Sequence, residues 1–127
     1  MYHLGIVALG GAIGAGCRHL VGLAALRLFG PGFPYGTLTV NVVGGLLMGI
    51  LAGYFALRFH GGGGQELRLF LATGVLGGFT TFSAFSLDAM LLWERGDIFG
   101  AAAYVALSVI LSIAALAGGL MLVRALT

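Results

Sequence analysis

The chain has 127 residues, of which 60% are hydrophobic and 8% are charged, and its mean hydropathy is +1.10. A soluble domain usually carries about a quarter charged residues, so this composition excludes one and indicates an integral membrane protein. A helical crossing needs about 20 apolar residues, which predicts about four crossings in a single domain, residues 1–127. The net charge of +2 comes from dispersed arginines, so the chain has no basic patch for nucleic acid.

Four apolar segments follow one another along the chain. Their predicted ranges are residues 4–29, 35–59, 67–93 and 98–124. The first and second segments are separated by a turn with two prolines and two glycines, residues 30–34. The second and third are separated by the glycines of residues 61–64. Residues 94–97 form the last connection. The sequence therefore predicts an all-α membrane protein with short loops.

The third segment is interrupted near its centre by residues 77–86, which read GGFTTFSAFS. Hydrocarbon cannot satisfy the hydrogen bonds of a loosened backbone, so a helix broken at that depth is buried in protein or lines a polar cavity. We therefore predict that the third helix is broken mid-membrane and that the functional site lies at the break.

Arginines are divided almost evenly between the two sides that four crossings define. The groups are Arg58, Arg68 and Arg124 on one side, and Arg27 and Arg95 on the other, with Arg18 leaning towards the second group. This difference is too small for the positive-inside rule to fix an orientation. Two alternatives stay open: a single orientation set by other features, or insertion both ways, which allows two identical chains to pair antiparallel.

Small residues recur at every fourth position in the first two segments. The glycines that share a helix face are Gly10 and Gly14 in the first segment and Gly45, Gly49 and Gly53 in the second. This spacing is typical of close helix packing. Arg18 extends the first row and Asn41 the second. Because a buried amide or guanidinium is costly without a partner, both are candidate functional residues, although Arg18 could instead extend to the interface.

The fourth segment carries a line of hydroxyl groups. Tyr104, Ser108 and Ser112 are four residues apart and therefore share one helix face. The line could be a polar track, or each serine could bond back to its own helical turn. Thr37 and Thr39 offer similar groups near the start of the second segment, where capping is the alternative.

Carboxylates, which cation pathways and proton relays use, stand mostly near predicted helix ends. They are Glu66, Asp88, Glu94 and Asp97. The interior instead offers neutral donors and an arginine, which suit an anion. A phenyl ring also presents a positively polarised edge. Phe82 and Phe85, three residues apart, could share one lumen or could pack in the core.

Three stretches carry a resemblance to a known family. GGAIGAGCRH with Arg18, GTLTVNVVGGLLMG with Asn41, and GGFTTFSAFS resemble the three signature regions of the CrcB, or Fluc, fluoride channel family. The resemblance spans nearly the whole chain and matches the family's length and four-span layout. One departure is Ala84, where family members commonly carry threonine.

The resemblance implies an antiparallel, dual-topology homodimer with two fluoride pores. It implies that the ring edges of Phe82 and Phe85 contact the ion and that Asn41 donates a hydrogen bond to it. Other residues that it places along the pathway are Thr81, Ser83, Tyr104, Ser108 and Ser112, with Arg18 near the vestibule. It also implies a structural sodium ion at the dimer centre, held by the backbone carbonyls of Gly77 and Thr80 from both chains.

The implied function is passive export of cytoplasmic fluoride through a bacterial or archaeal plasma (inner) membrane, without enzymatic activity. One alternative is a small multidrug-resistance type transporter, which exchanges protons for cations and needs an embedded carboxylate that only Asp88 could supply. An intramembrane enzyme would need a nucleophile beside His19, which has no clear serine partner. A purely structural subunit would not explain a broken helix that faces hydroxyl groups.

Overall fold

The computed structural model describes residues 2–58 and 64–127, and all the regular secondary structure in these residues is helical. Four stretches are long and apolar enough to cross a membrane: Tyr2–Phe29, Tyr35–Arg58, Gln65–Glu94 and Ile98–Leu126. The prediction of an all-helical protein with four membrane-capable segments is therefore confirmed. The predicted end of the second segment at residue 59 and most of the glycine connection lie outside the described residues.

The first, second and fourth of these stretches are single helices, which are α1 (Tyr2–Phe29), α2 (Tyr35–Arg58) and α6 (Ile98–Leu126). The third stretch, called the third span below, contains several elements. In chain order they are α3 (Gln65–Arg68), a π-helical segment (Leu69–Leu76), α4 (Gly77–Phe79) and α5 (Ser83–Glu94).

The helix ends follow from local sequence. Gly30 terminates α1 with a φ of 75°, a left-handed conformation that glycine adopts without steric cost, and its N–H donates to the carbonyl of Leu26 at 2.9 Å. Asp97 caps α6, because its Oδ1 accepts from the backbone N–H of Gly100 at 2.8 Å. The turns predicted at residues 30–34 and 94–97 are therefore confirmed.

Glycines bring α2 and α6 into backbone contact. A Cβ added at Gly45 would lie 2.6 Å from the carbonyl oxygen of Ser112, and one at Gly49 would overlap the carbonyl oxygen of Leu116. Gly119 makes the reciprocal approach, since its added Cβ would lie 2.5 Å from the carbonyl oxygen of Leu46. The glycine row predicted in the second segment is thus a packing seam between two helices.

A second close approach joins α1 to the third span. A Cβ added at Gly10 would lie 2.6 Å from the carbonyl oxygen of Phe70, and one at Gly14 would overlap that of Val75. Gly78 in turn lies against Gly11, whose carbonyl oxygen would be 2.5 Å from an added Cβ. These contacts fix the first half of the third span against α1, so that its end at Phe79 has a defined position.

Candidate functional site

Residues 80–82, called the inter-helix segment below, lie between α4 and α5. The last residue of α4 is Phe79, and Thr80 is extended, with φ −86° and ψ 160°. Helical structure resumes at Ser83. The non-helical part is shorter than the ten-residue glycine, threonine and serine run in the sequence, because both ends of that run are helical.

Asn41 on α2 binds the backbone of the inter-helix segment. Its Oδ1 accepts from the backbone N–H of Thr81 at 2.8 Å, and its Nδ2 donates to the carbonyl oxygen of the same residue at 3.0 Å. The side-chain amide thus pairs with Thr81 as a neighbouring peptide group would in a sheet. Because the amide nitrogen carries two hydrogens, one donor is not used by this pairing.

Two further side chains satisfy backbone groups beside the inter-helix segment. Arg18 on α1 donates from Nε to the carbonyl oxygen of Gly78 at 3.1 Å. The hydroxyl oxygen of Thr81 accepts from the backbone N–H of Ala84 at 3.1 Å, which is a cap on the first turn of α5. The Arg18 side chain is therefore bonded to the third span.

A cavity of about 530 Å³ adjoins the inter-helix segment, between α2, α5 and α6. The predicted site residues that line it are Asn41, Gly77, Thr80, Thr81, Phe82, Phe85, Ser108 and Ser112. The hydroxyl oxygens of Ser108 and Ser112 are buried and have no hydrogen-bond partner in the described part of the chain. Neither serine hydroxyl bonds back to its own helical turn, which was the alternative to a polar track.

The two phenylalanines of the site differ in exposure. Phe85 is 8% exposed, whereas Phe82 is 77% exposed, and their ring centroids are 5.5 Å apart with planes tilted by 48°. Both rings line the same cavity, as their spacing of three residues suggested. The outer ring thus stands at the open side of the cavity, and the inner ring forms part of its wall.

Tyr104 lies behind Phe85 and does not line this cavity. It is fully buried, its ring centroid is 5.3 Å from that of Phe85, and its hydroxyl donates to Oδ2 of Asp88 at 3.2 Å. Helical spacing places Tyr104 in line with two serines but does not predict its pairing with Asp88. The two residues are on different helices, so helical spacing carries no signal for this contact.

A smaller cavity of about 290 Å³ lies on the α1 side of the inter-helix segment. Its polar lining includes Arg18, His19, Thr37 and Thr81, and Ala84 contributes a methyl group to the same wall. The departure at Ala84 therefore removes a possible hydroxyl from this smaller cavity, not from the larger one. Ser83 and Thr39 are exposed and line neither cavity.

These features define a class of protein. Four stretches are able to cross a membrane, and three of them line a cavity with aromatic rings, an amide and two hydroxyl groups that lack a partner in the described residues. This is the arrangement of a multi-pass membrane protein with a transport pathway. The family model described as "CrcB-like protein, Camphor Resistance (CrcB)" matches residues 5–120. The chain belongs to this family.

Curated relatives agree with this assignment over almost their whole length. A protein of Rhodopseudomonas palustris (strain BisB5) is 57% identical over 96% of this chain and 97% of its own. One from Rhizobium etli (strain CIAT 652) is 58% identical over 95% of each chain, and one from Chelativorans sp. (strain BNC1) is 57% identical over 99% of each. All three are named fluoride-specific ion channel FluC.

Proposed function

We propose that this chain forms a fluoride-selective channel that lets cytoplasmic fluoride leave the cell passively, and that it is not an enzyme. The observation that carries the proposal is the pair of buried serine hydroxyls, on Ser108 and Ser112, that lack a partner in the described residues and line the larger cavity. The names of the curated relatives support the identity of the ion.

The cavity offers the chemistry that a small, strongly hydrated anion needs. Hydroxyl groups and the second amide hydrogen of Asn41 donate hydrogen bonds, and the edges of Phe82 and Phe85 are positively polarised. Together these groups replace the water that the ion loses on entry. No carboxylate lines this cavity among the described residues, so no negatively charged side chain there repels an anion.

We also propose that the inter-helix segment is a break of the third helix at mid-membrane depth. Fourteen residues of the third span, 65–78, precede Phe79, and twelve, Ser83–Glu94, form α5, so the segment is near the centre of the span. Within the segment, the N–H and the carbonyl of Thr81 are bonded to Asn41, and the carbonyl of the neighbouring Gly78 is bonded to Arg18. Such protein partners are what an interruption at this depth requires.

The proposed assembly is an antiparallel, dual-topology homodimer. Phe82 is 77% exposed although it lines the larger cavity, and a second copy would cover it. The almost even division of arginines permits both orientations. A Glu94→Cys variant in a Cys17→Ser background tests this, because an impermeant thiol reagent should label it from both faces of the membrane. Labelling from one face alone would contradict the dual topology.

A structural sodium ion at the dimer centre is also part of the proposal. The backbone carbonyls of Gly77 and Thr80 would hold it, two from each chain. They fit, because carbonyl oxygens are hard ligands, and the N–H groups that would bond them in a continuous helix donate to other acceptors here. The positive charge of the ion, bound by carbonyl oxygens of both chains, would hold the chains together at their interrupted third helices.

Export needs no energy-coupling site. Hydrogen fluoride enters a cell as a neutral acid and ionises inside, and an inside-negative potential then drives the anion outward with about 2.3 kcal/mol per 100 mV. The proposed location is the plasma (inner) membrane of a bacterium or archaeon, where this potential exists. The channel would thereby confer resistance to fluoride.

The direct test is ion efflux from proteoliposomes that contain the purified chain. A fluoride-selective electrode should record rapid fluoride loss once an ionophore for the counter-ion removes the opposing membrane potential. Chloride loss from matched vesicles should be negligible. Vesicles without protein provide the baseline. Proton-coupled cation uptake without fluoride loss would contradict the proposal and favour the small multidrug-resistance type transporter instead.

A further inference from the structure

The backbone pairing of an α-helix defines which donors the two proposed sodium ligands have lost. In a continuous helix each carbonyl accepts from the N–H four residues later. Gly77 would therefore accept from Thr81, and Thr80 would accept from Ala84. Both N–H groups are present, close to these carbonyls in sequence, and each donates elsewhere.

The N–H of Thr81 is bound by Asn41. Its acceptor is Oδ1 of that side chain at 2.8 Å, and the reverse bond from Nδ2 to the Thr81 carbonyl, at 3.0 Å, fixes the orientation of the amide. This two-way pairing holds the Thr81 peptide away from the helical position. The Gly77 carbonyl thus loses its helical donor to a side chain 40 residues earlier in sequence.

The N–H of Ala84 is bound within the inter-helix segment itself. Its acceptor is the hydroxyl oxygen of Thr81 at 3.1 Å. The extended conformation of Thr80, with ψ 160°, turns the chain so that this cap forms and α5 can begin at Ser83. The Thr80 carbonyl thereby loses its helical donor to the neighbouring hydroxyl.

Gly78 provides the contrast. Its helical donor would be the N–H of Phe82, but its carbonyl accepts from Nε of Arg18 at 3.1 Å instead. That carbonyl therefore gains a replacement donor. The side chains around the inter-helix segment act in two ways: Arg18 occupies a carbonyl, whereas Asn41 and Thr81 withdraw donors from two others.

We infer that Asn41 and Thr81 are positioning residues for the sodium site, because their side-chain oxygens withdraw the two N–H donors that would otherwise return to the carbonyls of Gly77 and Thr80. The inference rests on the proposed function, since it requires the sodium ion proposed there. It gives Asn41 two separate tasks: its oxygen frees a cation ligand, and its remaining amide hydrogen serves the anion pathway.

The experiment measures how sodium stabilises the purified full-length chain. The unfolding temperature is measured while NaCl replaces N-methyl-glucamine chloride at constant ionic strength. An ion that binds only the folded state raises the unfolding temperature. Thr81→Val removes the hydroxyl at nearly constant shape and should raise the half-effective sodium concentration by about tenfold or more. Thr81→Ser keeps the hydroxyl and should restore the wild-type value.

The matched control is Ser86→Ala. Ser86 is exposed, and its hydroxyl donates to the carbonyl of Phe82 at 2.9 Å, so it withdraws no N–H group from a helix. Its loss should leave the sodium dependence unchanged. An unchanged value in Thr81→Val, or an equal shift in Ser86→Ala, would overturn the inference while leaving the fluoride channel intact.

A second pair of variants keeps the test open if Thr81→Val does not fold. Asn41→Asp retains an acceptor for the Thr81 N–H, whereas Asn41→Leu removes it at similar size. We expect fluoride efflux to fall in both, but the half-effective sodium concentration to rise in the leucine variant only. Equal sodium shifts in both variants would contradict the inference. A wild-type protein without any sodium dependence would remove the sodium site itself, and efflux would still test the anion pathway separately.

Discussion

The seam between α2 and α6 and the inter-helix segment both connect the backbones of different helices, but they do so by opposite means. At the seam, Gly45 and Gly49 bring helix backbones into contact because no side chain intervenes, and both helices stay continuous. At the inter-helix segment the helix ends, and the side chains of Asn41, Thr81 and Arg18 satisfy backbone groups instead. The larger cavity opens beside the seam, whereas the segment borders both the larger and the smaller cavity.

This difference separates stability from function within one small bundle. Removing side chains lets the seam hold α6 at a fixed distance, and this places Ser108 and Ser112 on the wall of the larger cavity. Polar side chains at the segment bond the backbone of the third span, and the second amide hydrogen of Asn41 is not used by that pairing beside the larger cavity. We therefore expect substitutions at the seam to affect folding first, and substitutions at the segment to affect ion flux first.

The largest expected effect is at the seam. Gly119→Ala places a Cβ 2.5 Å from the carbonyl oxygen of Leu46 and 2.7 Å from the backbone nitrogen of Ile50. Neither backbone atom can move without separating α2 from α6, so we expect a loss at the upper end of the overpacking range, about 3 kcal/mol of unfolding free energy. Thermal or chemical unfolding in detergent measures it.

The neighbouring glycine supplies the control for this prediction. Gly118 is on the same helix, but an added Cβ there meets nothing within 4 Å. Gly118→Ala should therefore unfold at the wild-type temperature or slightly above it. Helix propensity favours alanine over glycine at both positions, so equal losses in the two variants would contradict the close approach of two backbones as the cause.

The next effect is at the segment. Asn41→Asp adds a negative charge beside the larger cavity, and two like charges about 4 Å apart repel by about 4 kcal/mol near a protein surface, so we expect fluoride efflux to fall by about a hundredfold or more. Neutral Asn41→Ser should reduce efflux less. Wild-type efflux in the aspartate variant would remove Asn41 from the pathway and reduce its role to binding Thr81.

A smaller effect is expected on the far wall of the cavity. Ser108→Ala removes one of the two unpartnered hydroxyls, and the loss of one hydrogen bond to an anion, about 1.5 kcal/mol, predicts about a tenfold fall in efflux. Stability should not fall, because that hydroxyl bonds nothing in the described residues. Ser86→Ala, at an exposed position, is the comparison for efflux. A loss of stability without a loss of efflux in Ser108→Ala would assign this serine to packing.

The sequence predicted the seam better than the segment, and the reason is geometric. A repeat of four residues is a property of a single helix, so the shared face of Gly45, Gly49 and Gly53 was visible without knowledge of the partner. The extent of the inter-helix segment was not visible in this way. It depends on Asn41 and Arg18, which are 40 and 60 residues away from the groups that they bond.

The same difference between local spacing and tertiary contacts applies to the site residues. Phe82 and Phe85 share a cavity because three-residue spacing is local, but their difference in exposure is set by the helices around them. Tyr104 shares a face with Ser108, yet its hydroxyl is taken by Asp88 from α5. Residue spacing shows only which side chains share a helix face, so it cannot predict tertiary contacts of this kind or contacts with a second chain.

The smallest expected effect concerns the exposed ring of the segment. Phe82→Ile keeps an apolar side chain but removes a ring edge, and aromatic contacts contribute about 0.5–1.5 kcal/mol, so we expect efflux to fall by about threefold to tenfold. Phe99→Ile is the matched control, because Phe99 is also highly exposed, at 86%, and lines neither cavity. If both variants conduct like the wild type, the Phe82 ring is only an apolar surface, and the anion pathway rests on hydroxyl and amide donors alone. If only the Phe82 variant is slow, the exposed ring is part of the anion pathway, and its edge contributes to the passage of the ion.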